Sequence, residues 1–497
     1  MGPERYNASL ILDENLAAGR GDKLAIRSAD GDLTYAGLAA LAAQAGNLMK
    51  GLEIAPEQRV LLVLDDTPAF PALFLGAMRA GRVPVNINPL DKPANFAHYL
   101  RDSGARVCFC EPALRDTLTA AGAELVIDTD ELRGLLPGQP TELAPADTHR
   151  DDPAFWLYSS GSTGLPKGVV HLQHDMTVTH ENYGLGILEI TEDDVCSSTT
   201  KLFHAYGLGN SLTFPLSVGA SAILSPGRSN PTVALETVER QRPTLFFSVP
   251  ALYRAMLALE PGDLSSVRLC VSAAEPLPSS TAERWKERYG VEIADGIGST
   301  EMLHIYCSNR PGELRYGTSG KPVPGYELRI DELGELLVKG DSCAPYYWQQ
   351  PEKTKRCMRG EWFASGDRYR VDDDGFYVYE GRVDDMFKAG GLWISPADME
   401  DCLMRHTAVS EAAVVGVTVD DASRIQAFVI VAEGAVADEV LADDLRAWCK
   451  QHLRRYEYPH LVAYVDDFPR TVTGKIQRFI LRERAAAAQA VMPSPAP

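Results

Sequence analysis

The amino-acid sequence predicts an α/β fold: a large N-terminal domain with covered, largely parallel sheets, followed by a small α+β C-terminal domain. The chain has 497 residues, far more than a single core needs. Its N-terminal three quarters alternates short apolar runs with amphipathic stretches, which is typical of parallel sheets covered by helices. After about residue 380 this alternation gives way to strands grouped around one helix.

The first well-marked elements are a strand, a helix and a second strand. The apolar runs at 59–66 and 82–87 predict buried strands. Between them, the stretch 68–81 predicts a helix that ends at Gly81. Further short apolar runs predict strands at 106–111, 221–225, 244–250 and 267–273.

One later helix has both of its ends marked. Ser280 followed by Glu283 forms a capping box, in which the two side chains satisfy free backbone N–H groups of the first turn. Gly290 is typical of the residue that follows a helix. We therefore expect the helix to begin at the Ser280 cap and to end before Gly290.

The C-terminal region has enough strands and helices for a domain of its own. Its predicted elements are strands at 411–419 and 425–433, a helix at 441–453 and a strand near 461–467. We predict an N-terminal domain over 1–382 and a C-terminal domain over 383–484. We expect residues 485–497 to form a disordered tail with a frayed helix end.

Charge and composition narrow the class of protein. The net charge of −20 argues against a surface for nucleic acid or anionic membrane, because both require a basic face. No apolar run approaches the roughly 18 residues of a membrane span, and the N-terminus does not resemble a signal peptide. We expect a cytoplasmic enzyme, monomeric or homodimeric, with no nucleic-acid or membrane partner.

The nine cysteines are scattered and include no CxxC pair. The sequence therefore indicates neither a zinc site nor a disulfide framework. Cys108 and Cys110 belong to one predicted strand, and we expect them on its alternate faces.

The segment YSSGSTGLPKG, at 158–168, is too polar to build a core. Such a loop can turn backbone N–H groups and hydroxyls toward a phosphate chain, and Lys167 adds positive charge. An ordinary surface turn explains the composition equally well. A Walker A loop is excluded, because Lys167 follows Pro166 and precedes Gly168. The candidate phosphate ligands are Ser160, Gly161, Ser162, Thr163 and Gly164.

This loop resembles the phosphate loop of the adenylate-forming superfamily, which includes acyl- and aryl-CoA ligases, nonribosomal-peptide adenylation domains and luciferases. Further motifs resembling that superfamily occur in its order at 272–278 (SAAEPLP), 295–301 (DGIGSTE), 363–367 (FASGD), 380–400 (EGRVDDMFKAGGLWISPADME) and 469–478 (PRTVTGKIQR). Together they span most of the chain, so chance does not explain their order.

The resemblance implies a site for Mg·ATP. It places Thr300 at the α-phosphate, makes Glu301 and Thr163 ligands of Mg²⁺, and gives Asp367 the ribose hydroxyls. The other implied nucleotide contacts are Ala274, Glu275, Pro276, Asp295, Gly296, Ile297, Ser299 and Arg382. Taken singly, each residue also has a structural interpretation, since Asp367 could cap a turn and Glu301 could pair with a surface arginine.

The resemblance also implies a reaction in two halves. A carboxylate attacks the α-phosphate of Mg·ATP to give an acyl-adenylate and pyrophosphate, and the thiol of coenzyme A then gives a thioester and AMP. Lys475 takes the catalytic position, where its ammonium bridges the two negative groups as they converge. Asp384 is the implied hinge of a mobile C-terminal domain, which brings Lys388, Gly390 and Gly391 to the coenzyme A tunnel.

Two stretches, 200–210 and 296–312, resemble the benzoate-CoA ligase branch in particular. The matching pocket residues are Phe203, His204, Ala205, Tyr206, Gly298 and His304. Aromatic and small side chains suit a flat aryl ring better than an alkyl chain, so we expect an aromatic carboxylate as substrate. His204 replaces a phenylalanine of that branch, and it could contact a ring substituent or simply pack. Two further departures from the superfamily are Ala274, where glycine is common, and Ile297, where an aromatic residue is common.

Two other functions share most of these residues. A stand-alone adenylation enzyme would load the aryl acid onto the phosphopantetheine of a carrier protein, and it differs only in its thiol acceptor. A non-catalytic nucleotide sensor would be expected to lack Lys475, Glu301 or the hinge, and none of them is missing.

Overall fold

The computed structural model describes residues 3–159, 165–383, 387–389, 392–394, 396–419, 422–454, 456–470 and 476–491. The chain divides into two compact units. Unit 1 comprises Met1–Leu277, Thr281–Leu328 and Leu337–Ala364, and unit 2 comprises Pro278–Ser280, Arg329–Leu336 and Ser365–Pro497. The predicted α/β class is confirmed, whereas the predicted domain boundary at 382/383 stays a prediction.

Most regular elements precede residue 325. The strands are β1 Leu24–Ser28, β2 Leu33–Thr34, β3 Arg59–Val63, β4 Val83–Asn86, β5 Val107–Cys110, β6 Leu125–Asp128, β7 Pro153–Ser159, β8 Lys167–Leu172, β9 Val195–Ser198, β10 Ser221–Leu224, β11 Leu245–Ser248, β12 Leu269–Ser272, β13 Ile293–Gly298, β14 Ile305–Ser308 and β15 Lys321–Pro322. The α-helices are α1 Leu10–Ala17, α2 Tyr35–Gly51, α3 Ala69–Arg79, α4 Pro93–Ser103, α5 Arg115–Ala120, α6 Thr129–Leu135, α7 Asp175–Thr179, α8 Ala205–Leu208, α9 Phe214–Val218, α10 Pro231–Gln241, α11 Pro250–Leu257 and α12 Ser279–Tyr289. Short 3₁₀ turns occur at Pro112–Leu114 and Leu136–Gly138, and π-helical turns at His180–Leu185 and Gly209–Thr213.

The remaining elements lie nearer the C-terminus. They are β16 Glu327–Ile330, β17 Glu335–Lys339, α13 Pro351–Cys357, β18 Met358–Arg359, β19 Trp362–Val371, β20 Tyr377–Arg382, β21 Phe387–Ala389, β22 Leu392–Ile394, α14 Pro396–Met404, β23 Val409–Val419, β24 Ala422–Val431, α15 Glu439–His452, β25 Leu461–Tyr464 and α16 Arg478–Val491. Strands β16, β17 and β19 each continue from one unit into the other along the chain.

Unit 1 is built on two sheets. The larger sheet has the order β15-β14-β13-β12-β11-β9-β10-β1-β2, and the smaller has the order β6-β5-β3-β4-β7-β8. Pairing is parallel through the middle of both sheets, while β2, β8, β14 and β15 pair antiparallel at the edges. Because parallel strands need crossover helices, this arrangement explains the alternation of strand and helix in the sequence.

The main core of unit 1 is continuous between helices and both sheets. It includes Leu62 of β3, Ala222 of β10 and Phe74 of α3, all 2% exposed or less. Helices α2 and α3 cross closely, because Gly76 has no side chain and a Cβ there would overlap the carbonyl oxygen of Ala42. Burial of such apolar side chains stabilises the fold by about 1.5–3 kcal/mol each.

All of the strands predicted for the N-terminal domain are present, with most ends shortened by one or two residues and the end of β3 shortened by three. The capping box was wrong in register, because α12 begins at Ser279 and Ser280 therefore lies inside its first turn. The expectation for the cysteines of β5 was also wrong. Cys108 and Cys110 lie in the same core cluster on one face of the strand, because residues two apart share a face.

Unit 2 contains the three-stranded sheet β23-β24-β25 and the hairpin β21-β22. Strands β23 and β24 pair antiparallel over their whole length, and β25 joins β24 in parallel. Helix α16 continues to Val491, so the tail predicted to start at residue 485 is corrected for 485–491. Ala485 is only 2% exposed and belongs to a core cluster with Phe468 and Leu481, which explains the longer helix. Residues 492–497 lie outside the described ranges.

None of the helices in the described ranges is both long enough and apolar enough to cross a lipid bilayer.

Candidate active site

Strands β7 and β8 form the antiparallel hairpin that carries the predicted phosphate loop. The last pair described on this hairpin joins Ser159 to Lys167. The predicted ligands Ser160, Gly161, Ser162, Thr163 and Gly164 lie outside the described residues. The phosphate cradle therefore stays a prediction.

Helix α4 braces the residues on both sides of this loop. The Nε2 atom of His98 lies 2.7 Å from the carbonyl oxygen of Pro166, and Tyr158 donates its hydroxyl to Asp102 at 2.6 Å. The Tyr158 ring also packs edge-on against Tyr99, with 4.6 Å between ring centroids. These contacts fix the position of Lys167 at the start of β8.

Lys167 and Glu301, predicted as separate contacts to ATP, form a buried ion pair. The Lys167 Nζ atom lies 2.8 Å from Glu301 Oε1. Tyr347 donates its hydroxyl to the same oxygen at 2.8 Å, and Lys167 Nζ lies 4.0 Å from the centre of the Tyr347 ring. Lys167 is 8% exposed and Glu301 is 6% exposed. The structure thus joins the loop lysine to the motif at 295–301.

Glu301 is ionised despite its burial. Burial is the largest influence on the pKa of Glu301 and raises it, but the charge of Lys167 and the hydrogen bonds from Lys167 and Tyr347 together outweigh burial and lower the pKa. An ionised carboxylate is a ligand that Mg²⁺ prefers, so Glu301 fits the implied metal role. No group of three or more potential metal-binding side chains occurs in the described part of the chain. Glu301 would supply one ligand to Mg²⁺, and Thr163, the other predicted ligand, lies outside the described residues.

A second lysine, Lys353 of α13, faces the same tyrosine. Its Nζ atom lies 5.9 Å from the centre of the Tyr347 ring. Burial first, and then repulsion from Lys167, lower the pKa of Lys353. Two ammonium groups beside one carboxylate give this region positive charge, which suits a polyphosphate. Tyr347 and Lys353 were not predicted as site residues, because neither belongs to one of the motifs that resemble the superfamily.

The backbone of the Thr300–Glu301 turn is held on both of its carbonyl oxygens. His171 Nε2 lies 2.8 Å from the Thr300 oxygen, and the backbone N–H of Ala344 donates to the Glu301 oxygen at 2.7 Å. His171 comes from β8, four residues after Lys167. One strand therefore holds both the carboxylate of Glu301 and the peptide before it.

The predicted adenine-side residues lie at the ends of β12 and β13. Ala274, Glu275 and Pro276 follow β12, whereas Asp295, Gly296 and Ile297 belong to β13 and Ser299 follows it. Asp295 pairs with Ser272 across the parallel strands. Burial raises the pKa of Asp295 to about 8, and its Oδ1 atom has no hydrogen-bond partner among the described residues. Such a buried polar atom is a candidate for contact with a bound molecule.

Ala274 has a backbone conformation that favours glycine, with φ at +76°. This conformation destabilises the folded state by about 1–2 kcal/mol for a residue with a Cβ. Replacing that residue with glycine removes this strain, but the greater freedom of glycine in the unfolded chain offsets about 0.4–1 kcal/mol of the gain. We expect Ala274→Gly to raise the free energy of unfolding by up to about 1 kcal/mol. Thermal unfolding should show this gain, whereas Ala273→Gly, at a buried position with ordinary φ, should lose stability.

His304 lies at the centre of an aromatic cluster. Its ring centroid is 4.5 Å from that of Phe214, 5.2 Å from that of Tyr183 and 5.4 Å from that of Tyr206. Burial lowers the pKa of His304 to about 3, so the ring is neutral at neutral pH. Its Nε2 atom lies 3.1 Å from Asn210 Oδ1 and donates to it, which leaves Nδ1 as a buried acceptor without a partner among the described residues.

The other predicted pocket residues come from the segment 203–206 and from the end of β13. Phe203 and Ala205 are buried, and the ring of His204 packs edge-on against Phe203 at 4.7 Å between centroids. A Cβ at Gly209 would overlap the His304 ring, so the glycine permits the ring to sit where it does. Gly298 ends β13, and the Tyr206 hydroxyl donates to the carbonyl oxygen of Val271 at 3.1 Å.

In unit 2, two predicted nucleotide contacts form one ion pair. Asp367 and Arg382 are opposite each other on β19 and β20, and Arg382 Nη1 lies 2.9 Å from Asp367 Oδ1. Arg382 also donates to the carbonyl oxygen of Ser365 at 3.2 Å. Gly366, between these residues, has φ at +74°, and a Cβ there would crowd the guanidinium. The FASGD turn thus presents Asp367 on a backbone that requires glycine.

The remaining predicted residues of unit 2 are only partly described. Lys475, Asp384, Gly390 and Gly391 lie outside the described residues, and Lys388 belongs to β21. On either side of the segment 471–475, Arg470 and Ile476 form an antiparallel bridge. Arg470 also pairs with Glu411 of β23 at 2.6 Å.

The parallel sheets, the phosphate-loop hairpin and the Lys167–Glu301 pair define the class as a nucleotide-binding α/β enzyme. The chain belongs to the AMP-binding enzyme family, whose family model matches residues 13–348, and residues 398–475 match the AMP-binding enzyme C-terminal domain. The resemblance stated from the motifs is therefore confirmed.

Relatives cover the chain almost from end to end. It is 46% identical over 512 residues to a benzoate–CoA ligase of Thauera aromatica, covering 97% of this chain and 96% of that protein. An anthranilate CoA ligase crystallised with anthranoyl-AMP is similar in structure, with a TM-score of 0.95, 38% identity and 99% of each chain covered. A benzoate CoA ligase from Burkholderia xenovorans LB400 has a TM-score of 0.91 and 42% identity, with 96% of this chain and 100% of that chain covered.

Proposed function

We propose that this enzyme activates an aromatic carboxylate with ATP and transfers the aryl group to coenzyme A, giving aryl-CoA, AMP and pyrophosphate. The observation that carries the proposal is the aromatic cluster around neutral His304, in a chain 46% identical to a benzoate–CoA ligase. Phe214, Tyr183 and Tyr206 supply flat apolar contacts, and the Nδ1 atom of His304 adds one polar contact. This combination suits a substituted benzoate.

We propose that the nucleotide binds to the charged side chains of the candidate active site. Lys167 and Lys353 balance the charge of the β- and γ-phosphates, and Thr300 contacts the α-phosphate. Glu301 would be a ligand of Mg²⁺, which when bound would supply further positive charge near the phosphates. Asp367 accepts the ribose hydroxyls, by analogy with the matching motif.

Acceptor, location and assembly are part of the same proposal. We infer that coenzyme A rather than a carrier protein accepts the aryl group, because two relatives that match the chain almost from end to end, at 46% and 41% identity, are CoA ligases. We also infer that the protein works in the cytoplasm as a monomer or homodimer.

Exchange of labelled pyrophosphate into ATP tests the first half-reaction. Benzoate, hydroxybenzoates, aminobenzoates and fatty acids should be compared, and aryl acids should support the fastest exchange. Thioester formation should then be compared between free coenzyme A and a carrier protein bearing phosphopantetheine. Failure of every aryl acid to promote exchange would contradict the proposed activity. Faster loading of the carrier protein than of coenzyme A would show that the carrier protein is the acceptor.

His204 offers a test of how the ring substituent is recognised. If its imidazole bonds to a hydroxyl or amino group on the ring, His204→Phe should lower kcat/KM for substituted acids by about 10-fold. The same variant should leave kcat/KM for benzoate itself nearly unchanged. An identical ranking of acids in both proteins would show that His204 only packs against Phe203.

A further inference from the structure

His171 makes two hydrogen bonds inside unit 1. Its Nε2 atom lies 2.8 Å from the carbonyl oxygen of Thr300, and its Nδ1 atom lies 2.8 Å from Asp175 Oδ2. The side chains of His171 and Asp175 are both 0% exposed. The ring is also stacked on Phe155, with 5.2 Å between centroids. Neither the motifs nor the pocket residues of the sequence analysis included this pair.

Both partners of the His171 ring are acceptors. The Thr300 carbonyl oxygen can only accept, and Asp175 Oδ2 already accepts the backbone N–H of Leu172 at 3.0 Å. The bond to Thr300 takes its hydrogen from His171 Nε2, because a carbonyl oxygen has none to donate. The contact with Asp175 holds the ring in the orientation that this bond requires.

We propose that His171, oriented by Asp175, is a positioning residue that fixes the Thr300–Glu301 turn for adenylation. The proposal rests on the proposed function. Contacts from other segments hold the turn: His171 on the Thr300 carbonyl, Ala344 on the Glu301 carbonyl, and Lys167 and Tyr347 on the Glu301 carboxylate. Without the first, the Thr300 carbonyl oxygen keeps only the backbone N–H of Leu303, at 3.1 Å and within the same turn, so the side-chain contact that ties this carbonyl to β8 is lost. A shift of about 1 Å at such a site can cost about 100-fold in rate.

His174 provides a matched control in the same segment. Its Nδ1 atom lies 2.8 Å from the carbonyl oxygen of Arg150, and its Nε2 atom lies 2.9 Å from that of Asp341. It also approaches Asp175, with Nε2 3.4 Å from Oδ1. His174 therefore shares the residue type, the bonding to carbonyl groups and the same carboxylate, but its hydrogen bonds and ion pairs among the described residues do not include Thr300 or Glu301.

Substitution of His171 by glutamine or by asparagine tests its two hydrogen bonds separately. The amide nitrogen of glutamine reaches the position of Nε2, so His171→Gln keeps a donor for Thr300. The amide nitrogen of asparagine reaches only the position of Nδ1, so His171→Asn keeps the contact with Asp175 and loses the one with Thr300. Both variants place a neutral amide in the same space, which makes their folded states comparable.

Pyrophosphate exchange should be measured with the acid that the wild type uses best, together with thioester formation from a supplied aryl-adenylate. We expect His171→Asn to lower kcat for exchange by about 100-fold with little change in the KM of the acid. His171→Gln should restore most of this rate, and His174→Asn should keep it. Thioester formation should be nearly equal in all four proteins, because the thiol attacks the acyl carbon and no substrate carboxylate approaches the α-phosphate in this step.

Equal exchange rates in the Asn and Gln variants of His171 would overturn the proposal, as would equal losses in both half-reactions. Equal loss in His174→Asn would show a general packing role for the segment. Inactivity of the wild type itself toward aryl acids would instead contradict the proposed function, so the two failures are distinguishable.

Discussion

Lys475→Ala is expected to lower the rate of aryl-adenylate formation by about 100- to 1,000-fold, as when one preorganised charge partner of a transition state is removed. The substrate carboxylate and the α-phosphate are both negative and must approach each other. A flexible ammonium between them offsets that repulsion most strongly in the transition state. Thioester formation from a supplied aryl-adenylate does not bring these two groups together, so it should be largely preserved. Pyrophosphate exchange and single-turnover thioester formation measure the two halves separately.

Lys450→Ala is the matched control for this experiment. Lys450 belongs to α15, in the same unit, and its Nζ atom lies 4.2 Å from the centre of the Tyr458 ring at an exposed position. Its removal changes the net charge by the same amount but should leave both half-reactions intact. If Lys475→Ala lost both halves equally, the lysine would have a structural role and not the one implied by the PRTVTGKIQR motif.

The parts of the fold that follow local rules were predictable from the sequence. The runs at 59–66 and 82–87 became β3 and β4, because a buried parallel strand must be apolar on both faces. Exact ends were less predictable, since α12 begins one residue before its predicted cap. Helix α16 is longer than predicted because alanine has the highest helix propensity and Ala485 also packs into a core cluster.

In the candidate site, too, local sequence patterns predicted single residues but not their long-range contacts. Motif order identified Lys167, Glu301 and His304 as site residues, but it did not predict their partners. Lys167 and Glu301 are 134 positions apart, and Tyr347 lies 46 positions beyond Glu301. No pattern within one segment reports such contacts, because they depend on how β8 packs against the turn after β13. His171 and Asp175 had one local signal, their spacing of four residues, which is too common to single out.

The Lys167–Glu301 pair links the stability of unit 1 to its catalysis. Glu301→Gln keeps the size of the side chain and an acceptor for Tyr347, but it leaves the buried Lys167 ammonium without a counter-ion. Breaking a buried ion pair from one side costs about 3–5 kcal/mol, so we expect unfolding of unit 1 at a lower temperature. We also expect loss of adenylation, because the Mg²⁺ ligand and the alignment of Lys167 are removed together.

The pH dependence of this effect has a defined sign. The pKa of Glu301 is lowered in the folded protein, after the opposing effect of burial, by the charge and hydrogen bond of Lys167. Its stabilisation is therefore complete above the ordinary glutamate value of about 4.3. It is lost as pH falls through the folded-state value. The difference in thermal stability between wild type and Glu301→Gln should accordingly be constant near neutral pH and shrink in acid.

A double variant separates the structural part of this effect from the catalytic part. Lys167→Met combined with Glu301→Gln removes both charges, so no ammonium is left buried without a partner. We expect the double variant to recover most of the stability lost in Glu301→Gln, since replacing a whole buried ion pair by neutral groups is often close to neutral in free energy. It should nevertheless remain inactive in pyrophosphate exchange. If pyrophosphate exchange recovered together with stability, the ion pair would serve only the fold. If the double variant recovered neither exchange nor stability, the two charges would stabilise unit 1 by more than their mutual attraction.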